Sequence, residues 1–335
     1  MKILNEAKSL IKVNIRDYGM YIALFVIMLT FSILTDGLFM SSRNISNLID
    51  ATGYIAVLAV GMTLVIVIRH IDLSVGFAAG FLGAIAAILL TQAGVSVFLT
   101  IPIILVLGIV VGMFNGFLVA QMGIPSFVAS LAGMLIFRGA LLRVTEKTGT
   151  IIVKDEHFNA IGNGFIPSIA KVGNLNLLSL IVGALIIVLF IYFEFSKRKN
   201  KLHYNFEVIS NGMFTVKIVF ISAIIAYITW ILAGYNGFSW TVVIVMIVVV
   251  VYHFLTTSTV IGRHIYAVGS NPEAAHLSGI SVKKITYIVF GSMGMLTALS
   301  GILFTARLQS ATTTAGTLFE LDAIAAAYVG GVSAA

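Results

Sequence analysis

Long apolar runs recur along the whole sequence, each close to the roughly 17–25 residues a helix needs to cross a bilayer. That recurrence confines the chain to one fold class, an all-α polytopic membrane protein. Nine runs are legible, at 18–36, 53–68, 74–91, 97–120, 126–143, 176–195, 216–233, 239–256 and 285–304. A further apolar stretch begins near Asp322 and reaches Ala335 without a polar flank. Composition agrees: 59% of the 335 residues are hydrophobic and 10% are charged, against about 25% charged in a soluble domain. The spans read as a single transmembrane domain covering 1–335. Four prolines in the chain suit mostly unbroken helices. Gly108, Gly112 and Gly116 repeat every four residues and are expected to form a face on which helix backbones approach closely.

Charge sets orientation. With the N-terminus in the cytoplasm, Lys2, Lys8, Lys12, Arg16, Arg69, Lys197, Arg198, Lys199, Lys201, Lys217, Arg263, Lys283 and Lys284 fall inside, while Arg43, Arg143, Lys147, Lys154 and Lys171 fall outside. The excess of inward Lys and Arg favours this arrangement. It places 196–215 and 257–284 in the cytoplasm and the longest polar segment, 144–175, outside. The +7 net charge sits in loops that flank apolar spans, an orientation signal rather than a nucleic-acid patch. No cleavable leader is expected, because the stretch from Tyr18 is a full-length span without a small-residue cleavage site after it.

Three polar stretches interrupt this pattern. "GSNPEAAHLSGISVKK", 269–284, is too short and polar to span. Asn271 is a good N-cap, Pro272 suits the first helical position and Glu273 favours the positive end of the helix dipole. Gly279 is placed to end the helix in a left-handed turn, and Ser281 to cap the next span. Ala274 and Ala275 are small enough for another surface to approach, and Leu277 and Ile280 are its only large apolar residues. That pattern fits a docking element better than a helix lying on lipid. In "RHIDLSVG", 69–76, Arg69, His70 and Asp72 are ionisable close to apolar spans. The stretch reads either as a polar break lining a solute path or as a tight turn in which Asp72 and Ser74 cap the next helix. In "ARLQSATTTAGTLFELDAIAAAYVGG", 306–331, the residues 309–317 break the ninth span, and Glu320 and Asp322 open the next apolar run. This is a broken helix beside a translocation path or a plain external turn. Polar residues within spans, among them Asn115, Gln121, Ser126, Ser130, Arg138, Glu194 and Trp240, read individually as helix–helix contacts.

Several chemistries are missing. The chain has no cysteine, hence no disulfide, thiolate metal site or cysteine nucleophile. It has no phosphate-binding G-x-x-x-x-G-K-[ST] loop and no H-E-x-x-H motif. Paired mid-span carboxylates, which a proton-driven transporter would tend to carry, are not evident, and no nucleophile–base or metal constellation suggests an enzyme. A transport pathway driven from elsewhere fits best, with a stand-alone facilitator or secondary transporter as a remote alternative.

Four segments carry a resemblance. "AVLAVGMTLVIVIRHIDLSVG", "IPSFVASLAGMLIFRGALL", "IGRHIYAVGSNPEAAHLSGISVKK" and "SGILFTARLQSATTTAGTLFELDAIAAAYVGG" resemble, in order, the permease subunits of bacterial ABC importers for simple sugars. The ribose, galactose and xylose branch is meant. The resemblance covers roughly 40–335. "SSRNISNLI", the "PSFVASLAGMLIFRG" span and the basic insertion at 196–215 make it most similar to the xylose type. It implies about ten membrane helices in a multi-pass protein of the bacterial inner membrane, carrying xylose or a related monosaccharide, with ribose, galactose or several sugars as alternatives. It also implies a permease homodimer, a cytoplasmic subunit that binds the ATP, and an extracytoplasmic sugar-binding protein. The permease itself would hold no cofactor or metal. Glu273, Ala274, Ala275, Leu277 and Gly279, within a cytoplasmic coupling loop at 257–284, would dock on the ATPase. Thr312, Thr313, Thr314, Gly316, Glu320, Asp322 and Asn115 become candidates for the solute path or its gate. Arg69 and His70 depart from the small or acidic pair that relatives more often carry. The family pattern also continues past Ala335, so the chain is expected to be C-terminally incomplete.

Overall fold

The computed structural model describes residues 15–146 and 148–332. Lys2, Lys8, Lys12 and Lys147, and the side chain of Arg16, lie outside that description. The described chain divides into two compact units.

The first unit runs up to Ile49 and takes in Phe165–Phe238. It holds α1 (Ile15–Leu34), one 3-10 turn (Leu38–Met40) and the start of α2 (Ser42–Val67). A two-residue hairpin, β2 (Lys171–Val172) with β3 (Leu175–Asn176), leads into α7 (Leu177–His203) and α8 (Asn211–Ala233). Asn176 caps α7 by accepting from Ser179 N at 3.1 Å. Helix α7 continues well past the expected end at 195, and its basic and acidic residues find partners on α8. Lys217 Nζ donates to Glu194 at 2.6 Å, Arg198 donates to Asn211 at 2.6 Å, and its guanidinium lies 4.4 Å from the Phe214 ring centroid.

The second unit comprises Asp50–Gly164 and Ser239–Ala335. It contains the rest of α2, then α3 (Val75–Thr91), α4 (Val97–Ala120), α5 (Ser126–Thr145), β1 (Thr150–Ile152) and α6 (Glu156–Asn163). After α9 (Trp240–Ser258) come α10 (Val260–Ser270), α11 (Pro272–Leu277), α12 (Val282–Leu308), β4 (Ser310–Thr312) and α13 (Phe319–Val329). Helix α12 is the centre of this unit and the most buried of its membrane-length helices. The expected glycine face is present. A Cβ at Gly108 or Gly112 would collide with the carbonyls of Gly294 or Phe290, and one at Gly116 would meet Phe290 Cβ at 3.2 Å. On the other side of α12, Gly301 packs on the Ala79 carbonyl and Gly83 on Thr305. Small residues thus let three helices approach closely where lipid supplies no hydrophobic drive between them.

Among the described residues seven helices are long and apolar enough to cross a membrane: α2, α4, α5, α7, α8, α9 and α12. The chain is an all-α polytopic membrane protein. Of the other two expected spans, α1 is described as apolar over Ile22–Leu34, and α3 has 17 residues, with its first turns buried. Helix α2, by contrast, begins at Ser42, well before the expected 53. Its added turns include Asp50, which is buried and accepts a hydrogen bond from Ser239, the cap of α9. The long polar segment 144–175 pairs with the broken region, since β1 and β4 run antiparallel with Thr150 opposite Thr312 and Ile152 opposite Ser310.

Candidate functional site

Two breaks in helical backbone converge on the first turn of α3. The first is Ile68–Ser74. Arg69 takes a left-handed φ of +63°, and its N–H and that of His70 bond back to Ile66 O and Val65 O, closing α2 in a Schellman arrangement. Asp72 is buried, and its Oδ1 accepts from Ser74 N at 2.9 Å and Ser74 Oγ at 2.6 Å. The Ser74 hydroxyl in turn accepts from Asn115 Nδ2 of α4 at 2.6 Å. Ser126 and Ser130 of α5 hold the backbone of Ile71 from the other side. Of the two readings that the sequence leaves open here, a tight turn is what forms, but without the side-chain capping of α3 expected with it. Ser74 makes no side-chain cap bond, and Asp72 instead forms a turn closed on Ser74 and tied to α4.

Electrostatics at this break follow from burial. Desolvation pushes the Asp72 carboxyl above the ordinary carboxylate range, while hydrogen bonds from Ser74 and Asn115 pull it back. A position just before the α3 N-terminus also favours its charged form. The His70 imidazole sits 5.9 Å from the Phe290 ring centroid, and burial lowers its pKa from 6.5.

The second break is 309–318. Gln309 and Leu318 take left-handed conformations, as does Gly316 at φ +87°. Between them the chain satisfies much of its own polarity: Ala315 N donates to Thr312 O, and Thr317 donates to Thr314 O through both N–H and hydroxyl. Non-helical backbone at membrane depth is tolerated where protein buries it or where it lines a cavity. Here protein supplies one wall. A Cβ on Gly316 would collide with the Gly76 carbonyl, and one on Gly80 with the Ala315 carbonyl. Glu320 is buried against Gly76, with its Oε2 lacking a hydrogen-bond partner in the protein.

The structure therefore joins Gly316 and Glu320 to Gly76, and Asn115 to Ser74, so these sets meet at the start of α3. Thr312 lies in β4, partly buried; Thr313 is also partly buried, while Thr314 and Asp322 are exposed. Asp322 opens α13 together with Glu320 but makes no cap bond, since the cap position is Leu318.

The polar helix at 271–279 has the expected local chemistry. Asn271 accepts from Ala274 N at 3.0 Å and Pro272 takes the first helical position. The helix ends in a Schellman motif, with Gly279 N bonded to His276 O and Ile280 N to Ala275 O, and Gly279 at φ +82°. Ser281 then caps α12 by accepting from Lys284 N at 3.3 Å. Glu273, Ala274 and Gly279 are exposed, and Leu277 is 88% exposed, whereas Ala275 is buried at 4% in the core. Ala275 thus anchors the helix to its own bundle instead of facing a visitor.

Sequence reasoning missed three features. The Asp50–Ser239 pair lay outside the expected span, although a carboxylate one turn before an apolar run is a signal worth pursuing. Tyr54, Phe304 and Phe319 form an aromatic cluster, with centroids 4.7 to 5.0 Å apart, joining residues distant in sequence. Arg69 donates to Gly269 O and Ser270 O, each at 2.7 Å. Among the described residues no group of three or more His, Asp or Glu is arranged to hold a metal ion.

Comparison with known proteins agrees with this architecture. Residues 44–335 match the family described as branched-chain amino acid transport system / permease component. The chain is 38% identical over 323 residues to the xylose transport system permease protein XylH of Haemophilus influenzae, covering 96% of this chain and 84% of that protein. It is 37% identical over 322 residues to XylH of Escherichia coli K12, covering 96% and 80% respectively. To the ribose import permease protein RbsC of Haemophilus influenzae it is 31% identical over 316 residues, covering 93% and 76%. No solved structure gives a significant match. The chain belongs to the ABC sugar-importer permease family, related to the xylose and ribose permeases.

Proposed function

We propose that the chain is the membrane-spanning subunit of an ATP-driven importer for xylose or a closely related monosaccharide. The observation that carries the sugar is sustained likeness: 38% and 37% identity to two xylose permeases, against 31% and 32% to two ribose permeases, over comparable lengths. In this reading both compact units work as one permease domain, and two copies form the path between them. The whole would have about ten membrane helices. The N-terminus, 196–215 and 257–284 face the cytoplasm of a bacterial cell, and 144–175 faces out. A separate ATPase docks on the exposed side of α11 through Glu273, Ala274 and Leu277, with Gly279 setting its pose, and an extracytoplasmic binding protein delivers the sugar. Leu277, 88% exposed, would give that partner an apolar contact to cover.

Uptake into proteoliposomes holding the chain, its ATPase and its binding protein tests the proposal. Labelled xylose should enter only with ATP, and unlabelled ribose or galactose should compete weakly. Entry without ATP would make the chain a facilitator, and stronger uptake of ribose than xylose would move it to the ribose branch.

A further inference from the structure

Arg69 has no place in the solute path as described, yet its backbone and its exposed side chain are both held in place. It holds a left-handed backbone conformation, φ +63°, which a residue with a Cβ adopts at a cost of order 1 kcal/mol or more. Its side chain spans about two hundred residues of sequence to reach one helix end. Nε donates to Gly269 O and Nη2 to Ser270 O, both at 2.7 Å. These are last-turn carbonyls of α10, groups that a helix leaves without internal partners. Helix α10 has no basic residue in its own last turn, so Arg69 supplies the cation that its negative end favours. The planar guanidinium fork fits two adjacent carbonyls as a single ammonium does not. Backbone packing reinforces the contact, because a Cβ on Gly269 would collide with the Val67 carbonyl.

Arg69 stands between two working elements. On one side, Asn271 caps α11 directly after the two bonded carbonyls. On the other, Asp72 follows three residues later and fixes the start of α3 through Ser74 and Asn115. We propose that Arg69 is a positioning residue that latches the α10–α11 segment to the Ile68–Ser74 break. A displacement of α11 is thereby carried to the first turn of α3, where Gly76 meets Gly316 and Glu320. The inference rests on the reading of α11 as the ATPase-docking helix. Its latch component concerns only contacts within this chain.

The test uses the full chain in lipid nanodiscs and in the reconstituted importer. Arg69→Gly removes the fork while relieving the left-handed backbone, Arg69→Lys keeps the charge without the fork, and Gly269→Ala opens the same contact from the opposite side. In hydrogen exchange, Arg69→Gly and Gly269→Ala should each lower protection about tenfold at both 269–281 and 72–78, the scale expected when charge-assisted hydrogen bonds are lost. Loss confined to 269–271, or no change, would overturn the latch. In proteoliposomes, sugar moved per ATP hydrolysed should fall about tenfold in Arg69→Gly and less in Arg69→Lys, following the hydrogen-bond strength retained. An unchanged ratio in Arg69→Gly overturns the coupling role. Wild-type protein that moves sugar without ATP would instead sink the importer reading, while the exchange data would still decide the latch.

Discussion

A missing Cβ decides more at the centre of this protein than any charged group. At Gly112 a methyl would collide with the Phe290 carbonyl, at Gly116 it would meet Phe290 Cβ at 3.2 Å, and at Gly139 it would meet nothing within 4 Å. Gly112→Ala should therefore destabilise by about 1–3 kcal/mol, the usual cost of overpacking. Gly116→Ala should cost less, and Gly139→Ala should be neutral or stabilising by up to about 1 kcal/mol through helix propensity. Thermal unfolding in detergent should rank the three in that order, and a Gly112→Ala variant as stable as Gly139→Ala would refute the close approach of α4 and α12. The four-residue glycine spacing was legible in sequence because it needs only one helix. Its partners, Phe290 and Gly294, were not, because nothing local records which face of α12 arrives. His70 gives a second residue-level expectation. Burial lowers its folded pKa below 6.5, so on acidification the unfolded chain takes up this proton first. Its contribution to stability is thus complete above about pH 6.5 and declines as pH falls through the folded value. Unfolding temperatures at pH 7.5 and 5.5 should differ more in wild type than in His70→Gln; an equal difference would mean that folding leaves the His70 pKa unshifted.

At the scale of elements, the sequence revealed what local rules control. Asn271, Pro272, Gly279 and Ser281 each took the role that their chemistry dictates, since capping and left-handed turns involve neighbours a few residues away. Expectations failed where an element's limits depend on distant partners. Helix α7 outruns its apolar stretch, and in the extension Arg198 pairs across to Asn211 of α8. The β1–β4 ladder joins Thr150 to Thr312, a pairing that neither short segment announces alone. Asp72 and Ser74 looked like a helix cap because Asp-x-Ser usually is one, but Asn115 on α4 diverts the serine hydroxyl. The helix α11 offers a sharp test of its proposed role. Gly279 sits at φ +82° with open space around it, so a larger side chain meets a backbone penalty and no collision. Gly279→Val should distort the Schellman turn, at a cost of about 1–2 kcal/mol, and misplace α11 while leaving α12 inserted. Copurification of the ATPase with the variant should drop strongly at unchanged membrane level. Full copurification with normal sugar-stimulated ATP hydrolysis would argue against docking through this helix.

For the molecule as a whole, the strand and glycines of the 309–322 break determine what that segment can face. Ala311 and Gly316 are buried, Gly316 and Glu320 lean on the first turn of α3, and Thr314 and Asp322 are exposed. A segment that turns one side to the bundle and leaves hydroxyls and a carboxylate on the other suits a wall for a neutral, hydroxyl-rich solute. Glu320 is already committed to α3, which leaves Asp322 as the accessible acid. We expect Asp322 to act at the α13 N-terminus through its polarity, since no side-chain cap bond forms there. Asp322→Asn keeps a polar group of the same shape and should retain most uptake, whereas Asp322→Leu should lose about fivefold or more, the scale of one neutral hydrogen bond. Abolition by Asp322→Asn alone, with a shifted pH dependence, would replace positioning by proton chemistry. Location is tested separately, because the chain has no native cysteine. Cysteines at Thr312 and Thr314 should react with small hydrophilic reagents applied from outside in at least one state of the ATP cycle. Cysteines paired at Thr150 and Thr312, directly opposite in the antiparallel ladder, should form a disulfide under external oxidant, since opposed Cα atoms lie within bridging range. If the pair forms but Thr314 stays unreactive in every state, the break belongs to a sealed external cap, and the path must run elsewhere.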